Sequence, residues 1–289
     1  MNRSYLMYGL VAAASVSCAP ATPTPEPAAG SALSCCAAEG RAISMRYRVA
    51  AIAQRRFTHA DLWSVLDPIV RSPALRTTEI GRSIQGRPIR AITFGSGPTT
   101  VLLWSQMHGD ESTATMALAD LLTWMTARAP LHADLRDRIA TSLTVVMVPM
   151  LNPDGAELFQ RENAVGVDVN RDAAKLATPE ARALKALRDS IRPQFGFNLH
   201  DQGGRILSGR SGKQVGIALL APAANQSADY SGARSNARLV ASGLVSIVER
   251  EIPGRVAKYE DAFNPRAFGD LMQSWGTSTV LIESGALPD

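Results

Sequence analysis

The chain has four histidines in 289 residues, and two of them stand where a side chain can do chemistry. His108 follows the apolar run VLLW and lies three residues before Glu111 in QMHGDES, while His200 closes the apolar run FGFNL. His59 falls in a predicted helix and His132 in a predicted polar loop, so neither shares that setting. An HxxE pair lacks the second histidine of HExxH, which would put two imidazoles on one helical face with a Glu between them as base. Glu111 therefore has to be a ligand itself, and a third ligand must come from elsewhere. A His, a Glu and a second His make a sound catalytic zinc set, because three protein ligands leave one coordination position for water. Taken singly, a histidine at a strand end is more often a satisfied polar group than a ligand.

These residues need a scaffold, and the apolar pattern predicts one. Thr58 caps a helical run HADLWSVLDPIVRS, and EIGRSIQGRPIRAITFG reads as two strands around a turn at Gln85 and Gly86. Strand-like TTVLLWSQ, SLTVVMVP, FGFNLH, VGIALLAP and STVLIES alternate with helical STATMALADLLTWMTARA, a helix opened by Thr178 and Pro179, and ARSNARLVASGLVSIVERE. That alternation predicts a three-layer α/β/α domain with a central mixed, mainly parallel sheet, whose sites lie at strand ends.

Composition sets the frame. With 46% apolar and 19% charged residues the chain supports one sizeable core. Its net charge of +4 is not gathered into a basic run with interleaved aromatics, which argues against a nucleic-acid partner. Residues 1–18 carry Arg3, the short apolar stretch LMYGLVAAASVS and small residues before Cys18, the pattern of an export signal. The expected location is therefore periplasmic, extracellular or membrane-anchored; a plain signal peptide and a lipid tether through Cys18 both stay open. Residues 19–55 read as a Pro/Ala-rich linker, and residues 56–289 as the catalytic body. All three cysteines, Cys18, Cys35 and Cys36, precede that body, so it holds no disulfide and no thiolate metal site.

Further motifs follow in order: NPDG at 152–155, Arg161, GVDVNR at 166–171, FNLH ending at His200, and VLIES containing Glu283. Together with HGDE this order resembles the zinc carboxypeptidase family of the carboxypeptidase A type, over roughly residues 56 to 289. GRSIQGRPI also looks like the stretch that precedes the first zinc motif in bacterial members. The resemblance implies one zinc ion per chain, held by His108, Glu111 and His200, with Glu283 as general base. It implies that Arg161 stabilises the oxyanion and that Asn170 and Arg171 grip the terminal carboxylate of a peptide. Asn152 to Gly155 read as turn chemistry, and Asp168 as a support for its neighbours. One of Asp201 and Gln202 is expected to orient a ligand or line the cleft.

The family's mobile tyrosine has two candidates here, Tyr230 and Tyr259, of which Tyr259 is better placed. Only SGALPD follows Glu283, where family domains continue into a covering helix; the resemblance then implies exposed apolar sheet near STVLI. The stretch DAFNPRAFGDLMQSWGTS is expected to form the side-chain pocket. An inward Arg266 would favour an acidic or carboxylate-bearing residue, such as a cell-wall diaminopimelate unit, and an inward Phe268 an apolar one. Two other functions stay open: a zinc amidohydrolase of acylated amino acids, like aspartoacylase and succinylglutamate desuccinylase, and an inactive tethered binding domain.

Overall fold

The computed structural model describes residues 29–230, 232–259 and 262–287. The expected export signal and Cys18 lie outside them. Among the described residues no helix is long and apolar enough to cross a membrane.

Eight strands form one sheet in the order β1-β2-β4-β3-β5-β8-β6-β7. They are β1 Leu75–Arg82, β2 Pro88–Phe94, β3 Thr99–Ser105, β4 Leu143–Val148, β5 Phe195–Asp201, β6 Ile217–Leu220, β7 Val256–Lys258 and β8 Ser278–Ser284. The central four, β4, β3, β5 and β8, run parallel, while β2 joins β4 and β6 joins β8 antiparallel. The expected mixed, mainly parallel sheet is what the chain builds.

Period-two alternation sorts the strand residues between two cores. Along β3, Val101 and Leu103 enter one apolar cluster, and Leu102 and Trp104 the other. The first cluster packs against helices α1 Ala29–Arg46, α2 His59–Val70, α3 Thr113–Thr126, α4 Ala133–Ser142 and α7 Ala233–Glu251. The second packs against α6 Pro179–Ile191 and the short α8 Phe268–Ser274. A short helix α5, Pro153–Leu158, adds Ala156 to the first cluster. Local chemistry matches the sequence signals: Thr58 and Asp61 form a capping box on α2, and Thr178 caps α6 with Pro179 behind it.

Two expectations are corrected. Residues 29–46 are helical rather than linker, and Ile43 is fully buried in the first core. Tyr47 accepts a hydrogen bond from the Leu131 amide, and the Val49 amide donates to Asp120. The body therefore begins well before residue 56. Replacing Ile43 by alanine should cost about 2–5 kcal/mol in urea unfolding, as for other large-to-small core changes; a cost under about 0.5 kcal/mol would return this segment to linker status.

The second correction concerns β8. It is buried except for partly exposed Leu281, because β5 and β6 flank it while α7 and α8 pack against it. The STVLI stretch is not an exposed apolar surface.

Candidate metal centre and substrate cleft

Because β3, β5 and β8 are parallel neighbours, their C-terminal ends meet at one edge of the sheet, the usual place for a site in such folds. His108 and Glu111 sit on the loop from β3 to α3, His200 near the end of β5, and Glu283 near the end of β8. His200 and Glu283 are in register, so both side chains leave the same face of the sheet side by side. His200 lies within its strand rather than directly after it.

Glu111 bridges the two imidazoles. Its Oε1 is 2.8 Å from His108 Nδ1, and its Oε2 is 2.6 Å from His200 Nδ1. The donor atoms of the three residues all lie within 4.8 Å of one another. Burial opposes ionisation of Glu111, but the two imidazoles outweigh it and hold the carboxyl well below its usual range. Burial pushes the pKa of His200 down and keeps the ring neutral, the form that binds metal. His108 is also buried, yet Asp168 and Glu111 together pull its pKa up.

Asp168 ties two functional groups together. Its Oδ1 lies 3.0 Å from His108 Nε2, and its Oδ2 accepts from Arg161 Nε at 3.0 Å and Nη2 at 2.9 Å. With the proton on Nε2, His108 turns its Nδ1 lone pair toward Glu111 and His200. Two imidazole nitrogens and a carboxylate converging at this spacing, with one ring oriented by a carboxylate behind it, are a donor set that fits zinc. Asp168→Ala should lower zinc affinity about 10–100-fold in a chelator competition; wild-type affinity would mean that Asp168 does not orient His108.

NPDG acts as a bracket. Asn152 caps α5 by accepting from the Gly155 amide. Asp154 accepts from Ser83 Oγ, the Gln85 amide and Arg87 Nη1, which fastens the GRSIQGRP turn to the bracket. The metal loop lies flat against it: a Cβ on Gly109 would fall 2.0 Å from the Gly155 carbonyl carbon. Only two backbones without side chains approach so closely.

Sequence reasoning missed Arg55, placed in the linker. Its guanidinium donates to the Asp110 carbonyl and to Asp201 Oδ2, both at 2.9 Å, and Ser112 Oγ donates to its carbonyl. An arginine before any motif gives no local signal of this role. Asp201 also accepts from Thr113, and its amide donates to Glu111 Oε2 at 3.3 Å. Gln202 donates to the Glu283 carbonyl at 3.1 Å. Burial raises the Asp201 carboxyl to about 6.

The cleft, about 590 Å³, opens beside these residues and is lined by Arg161, Asn170, Arg171, Tyr259 and Glu283. Asn170 Oδ1 accepts from the Phe268 amide at 3.0 Å, which leaves its NH₂ as the free donor end. Arg161 Nη1 lies 3.4 Å from Glu111 Oε1. Burial, followed by the charges of Glu111 and Asp201, raises the Glu283 carboxyl to about 9. Tyr230 is elsewhere, stacked under Arg234 and Arg238. The pocket expectation changes: Arg266 is exposed and does not line the cleft, and Phe268 is fully buried in the second core. Asn198 and Asp270 line it instead. His59 and His132 are remote from the centre, the first against the Pro88 carbonyl and the second near Glu39.

Known proteins carry the same arrangement of chain. A metallo-carboxypeptidase from Burkholderia cenocepacia superposes with a TM-score of 0.63 at 17% identity, covering 81% of this chain and 63% of that one. Thrombin activatable fibrinolysis inhibitor superposes at 0.62 with 14% identity, covering 86% and 72%. At these identities the likeness is one of fold. Probable carboxypeptidase 2 of Arthroderma benhamiae is 31% identical over 101 residues, 34% of this chain and 18% of that protein. Carboxypeptidase SOL1 of Arabidopsis thaliana is 28% identical over 149 residues, 46% of this chain and 30% of that protein. The chain thus aligns with less than a third of the length of either relative. The sequence profile of the zinc carboxypeptidases matches residues 65–277, most of the chain with both His108 and His200, and so this chain belongs to the zinc carboxypeptidase family.

Proposed function

We propose that this chain is a zinc-dependent carboxypeptidase that hydrolyses the last peptide bond of an exported or cell-wall peptide. The observation that carries the reading is Glu283 in strand register with His200, beside the converged donors of His108 and Glu111. His108, Glu111 and His200 would hold the ion. When bound, zinc supplies Lewis acidity, which polarises a carbonyl oxygen and acidifies water.

The chain's own groups do the rest. The free NH₂ of Asn170 and the forked guanidinium of Arg171 suit a terminal carboxylate, which fixes the register of the substrate. Glu283, whose ionised form a cation bound beside it would favour, takes a proton from water as the water oxygen bonds to the scissile carbonyl carbon. Arg161, held by Asp168, donates to the oxygen that becomes negative. When the C–N bond breaks, Glu283 gives the proton to the leaving amine, so one water is consumed and a peptide and an amino acid leave. The export-type residues 1–18 support action outside the cytoplasm.

The test is elemental analysis together with a peptide panel on wild type and a His108→Ala, Glu111→Ala double variant. Near one zinc per chain, lost in the variant, with single residues released from free C-termini, is expected. Bound zinc with release only from N-acylated amino acids would sink the peptidase reading in favour of an amidohydrolase; absence of zinc from folded protein would sink both.

A further inference from the structure

A second concavity, about 640 Å³, lies along α7 at the β7 end of the sheet. Among the described residues its lining and that of the catalytic cleft share only Leu220. Arg234, Arg238, Ala241 and Val245 recur at helical spacing and line one flank of α7. The core-facing stripe of the same helix is a different set, Ala237, Val240, Leu244, Ile247 and Val248. Because β7 is the last strand of the sheet, Val256 and Leu219 form an apolar floor beside that flank.

The trough has two unlike ends. β6 and β7 are parallel and α7 links them, so the helix runs back from the C-terminal end of β6 to the start of β7. At the first end Tyr230 lies against Arg234 and Arg238, whose guanidinium carbons are 4.5 and 4.1 Å from its ring centre, and Lys258 closes β7 on the same side. At the second end the loop of Ser208 to Arg210 is fastened just ahead of β7: Ser211 Oγ donates to the Gly254 carbonyl, and Lys213 Nζ to the Pro253 carbonyl at 3.0 Å. Arg238 and Val245 are seven residues apart, about 10 Å along the helix, so a cationic end passes into an apolar one. Arg210, Arg234, Arg238 and Lys258 all line the trough, and among the described residues no carboxylate does. Arg234 is 1% exposed and donates from Nε to the Ala221 carbonyl at 3.3 Å. Arg238 has the Tyr230 ring for company but no hydrogen-bond or ion-pair partner among the described residues. Like charges gathered beside low-dielectric walls repel one another and focus a field that draws in anions.

We propose that this trough binds an anionic amphiphile, with a carboxylate or phosphate head held by Arg238 beside Tyr230 and a short alkyl body laid along Leu219, Val245 and Val256. The forked guanidinium suits either head, and mostly apolar walls with a few placed polar groups are the usual make-up of a small-molecule site of this volume. Closure at both ends favours a small molecule over a polypeptide running through. The site is separate from the metal centre and stands whether or not the chain cleaves peptides.

The experiment is calorimetry of octanoate, octyl phosphate and octyltrimethylammonium with the whole chain, in wild type and in Arg238→Gln, Ala241→Trp and Arg171→Gln variants. At least one of the two anions should occupy a single saturable site, at least tenfold more tightly than the ammonium, and the better-bound anion identifies the head group. Arg238→Gln should weaken that anion at least tenfold; the side chain is exposed, so the melting midpoint without ligand should stay at the wild-type value. Ala241→Trp, which fills the trough, should abolish binding. Arg171 belongs to the cleft, so Arg171→Gln should bind the anion as wild type does. Failure of both anions to saturate overturns the proposal, as does equal binding of the ammonium. Binding that survives both trough variants, or that Arg171→Gln weakens as much as Arg238→Gln does, also overturns it, the latter by placing the anion in the cleft.

Discussion

Glu283→Gln should lower kcat about 10²–10⁴-fold while bound zinc stays near the wild-type level. Glutamine keeps the shape and the buried position but can neither accept nor return a proton. Because the metal donors are on other residues, metal content separates this loss from damage to the centre. A variant that keeps more than a tenth of the activity would remove Glu283 from the proton path.

The same substitution has a second consequence, of opposite sign, for stability. The Glu283 carboxyl is raised from 4.5 to about 9, first by burial and then by Glu111 and Asp201, with Arg161 and Arg171 pulling the other way. A folded pKa above the unfolded one means that, between those values, the native chain holds a proton that the unfolded chain has released. The stability attached to that proton is fully present below about pH 4.5 and is lost as pH rises through about 9. Glutamine has no such proton to lose. In chelator-treated protein, Glu283→Gln should therefore gain on wild type in urea midpoint as pH rises from 5 to 8.5, by at least about 1 kcal/mol at the upper end. An equal offset at both pH values would show that desolvation of this carboxylate is not the cause.

Glu111→Ala should remove both the metal and the stability that the metal confers. Glu111 is the residue that both imidazoles share, and it also receives the Asp201 amide and the Arg161 guanidinium. Its loss takes away one of three donors and the contact that holds the other two together. A ligand present at 1,000 times its dissociation constant stabilises the native state by about 4 kcal/mol. At roughly 2–4 °C per kcal/mol for a body of this size, zinc should raise the melting midpoint of wild type by about 8–16 °C. The alanine variant should show almost none of that rise and no detectable peptide cleavage. A full zinc response in the variant would displace Glu111 from the ligand set.

These expectations draw unequally on sequence and structure. The sequence alone determined the alternation that builds a parallel-centred sheet, because burial on both faces demands apolar runs whose length and flanks are local properties. It also marked the candidates for chemistry: His108, Glu111, His200, Arg161, Asn170, Arg171 and Glu283 were all singled out by their place in a motif order, and all of them line the cleft. Polar elements were harder to read. α4 carries no clear sequence signal, since its arginines and aspartates hide a stripe of only two buried residues, Leu135 and Ile139, and His132, expected in a polar loop, stands in the turn just before it.

What only the tertiary structure decided was direction and distance. Whether Arg266, Phe268 or Asp270 enters the pocket depends on where α8 begins and how it rotates against β5, which no spacing within DAFNPRAFGD encodes. Asn198 became a pocket residue because β5 and β8 pair so that Asn198 faces Leu281 just as His200 faces Glu283; a slip of one residue would have sent both pairs into the opposite core. Ile43 and Arg55 lie in a stretch whose composition reads as tether, yet their partners are Asp201 and the core under α3 and α7, far along the chain. Contacts of that range are fixed by packing of the whole sheet, so they leave no periodic trace near the residues that make them.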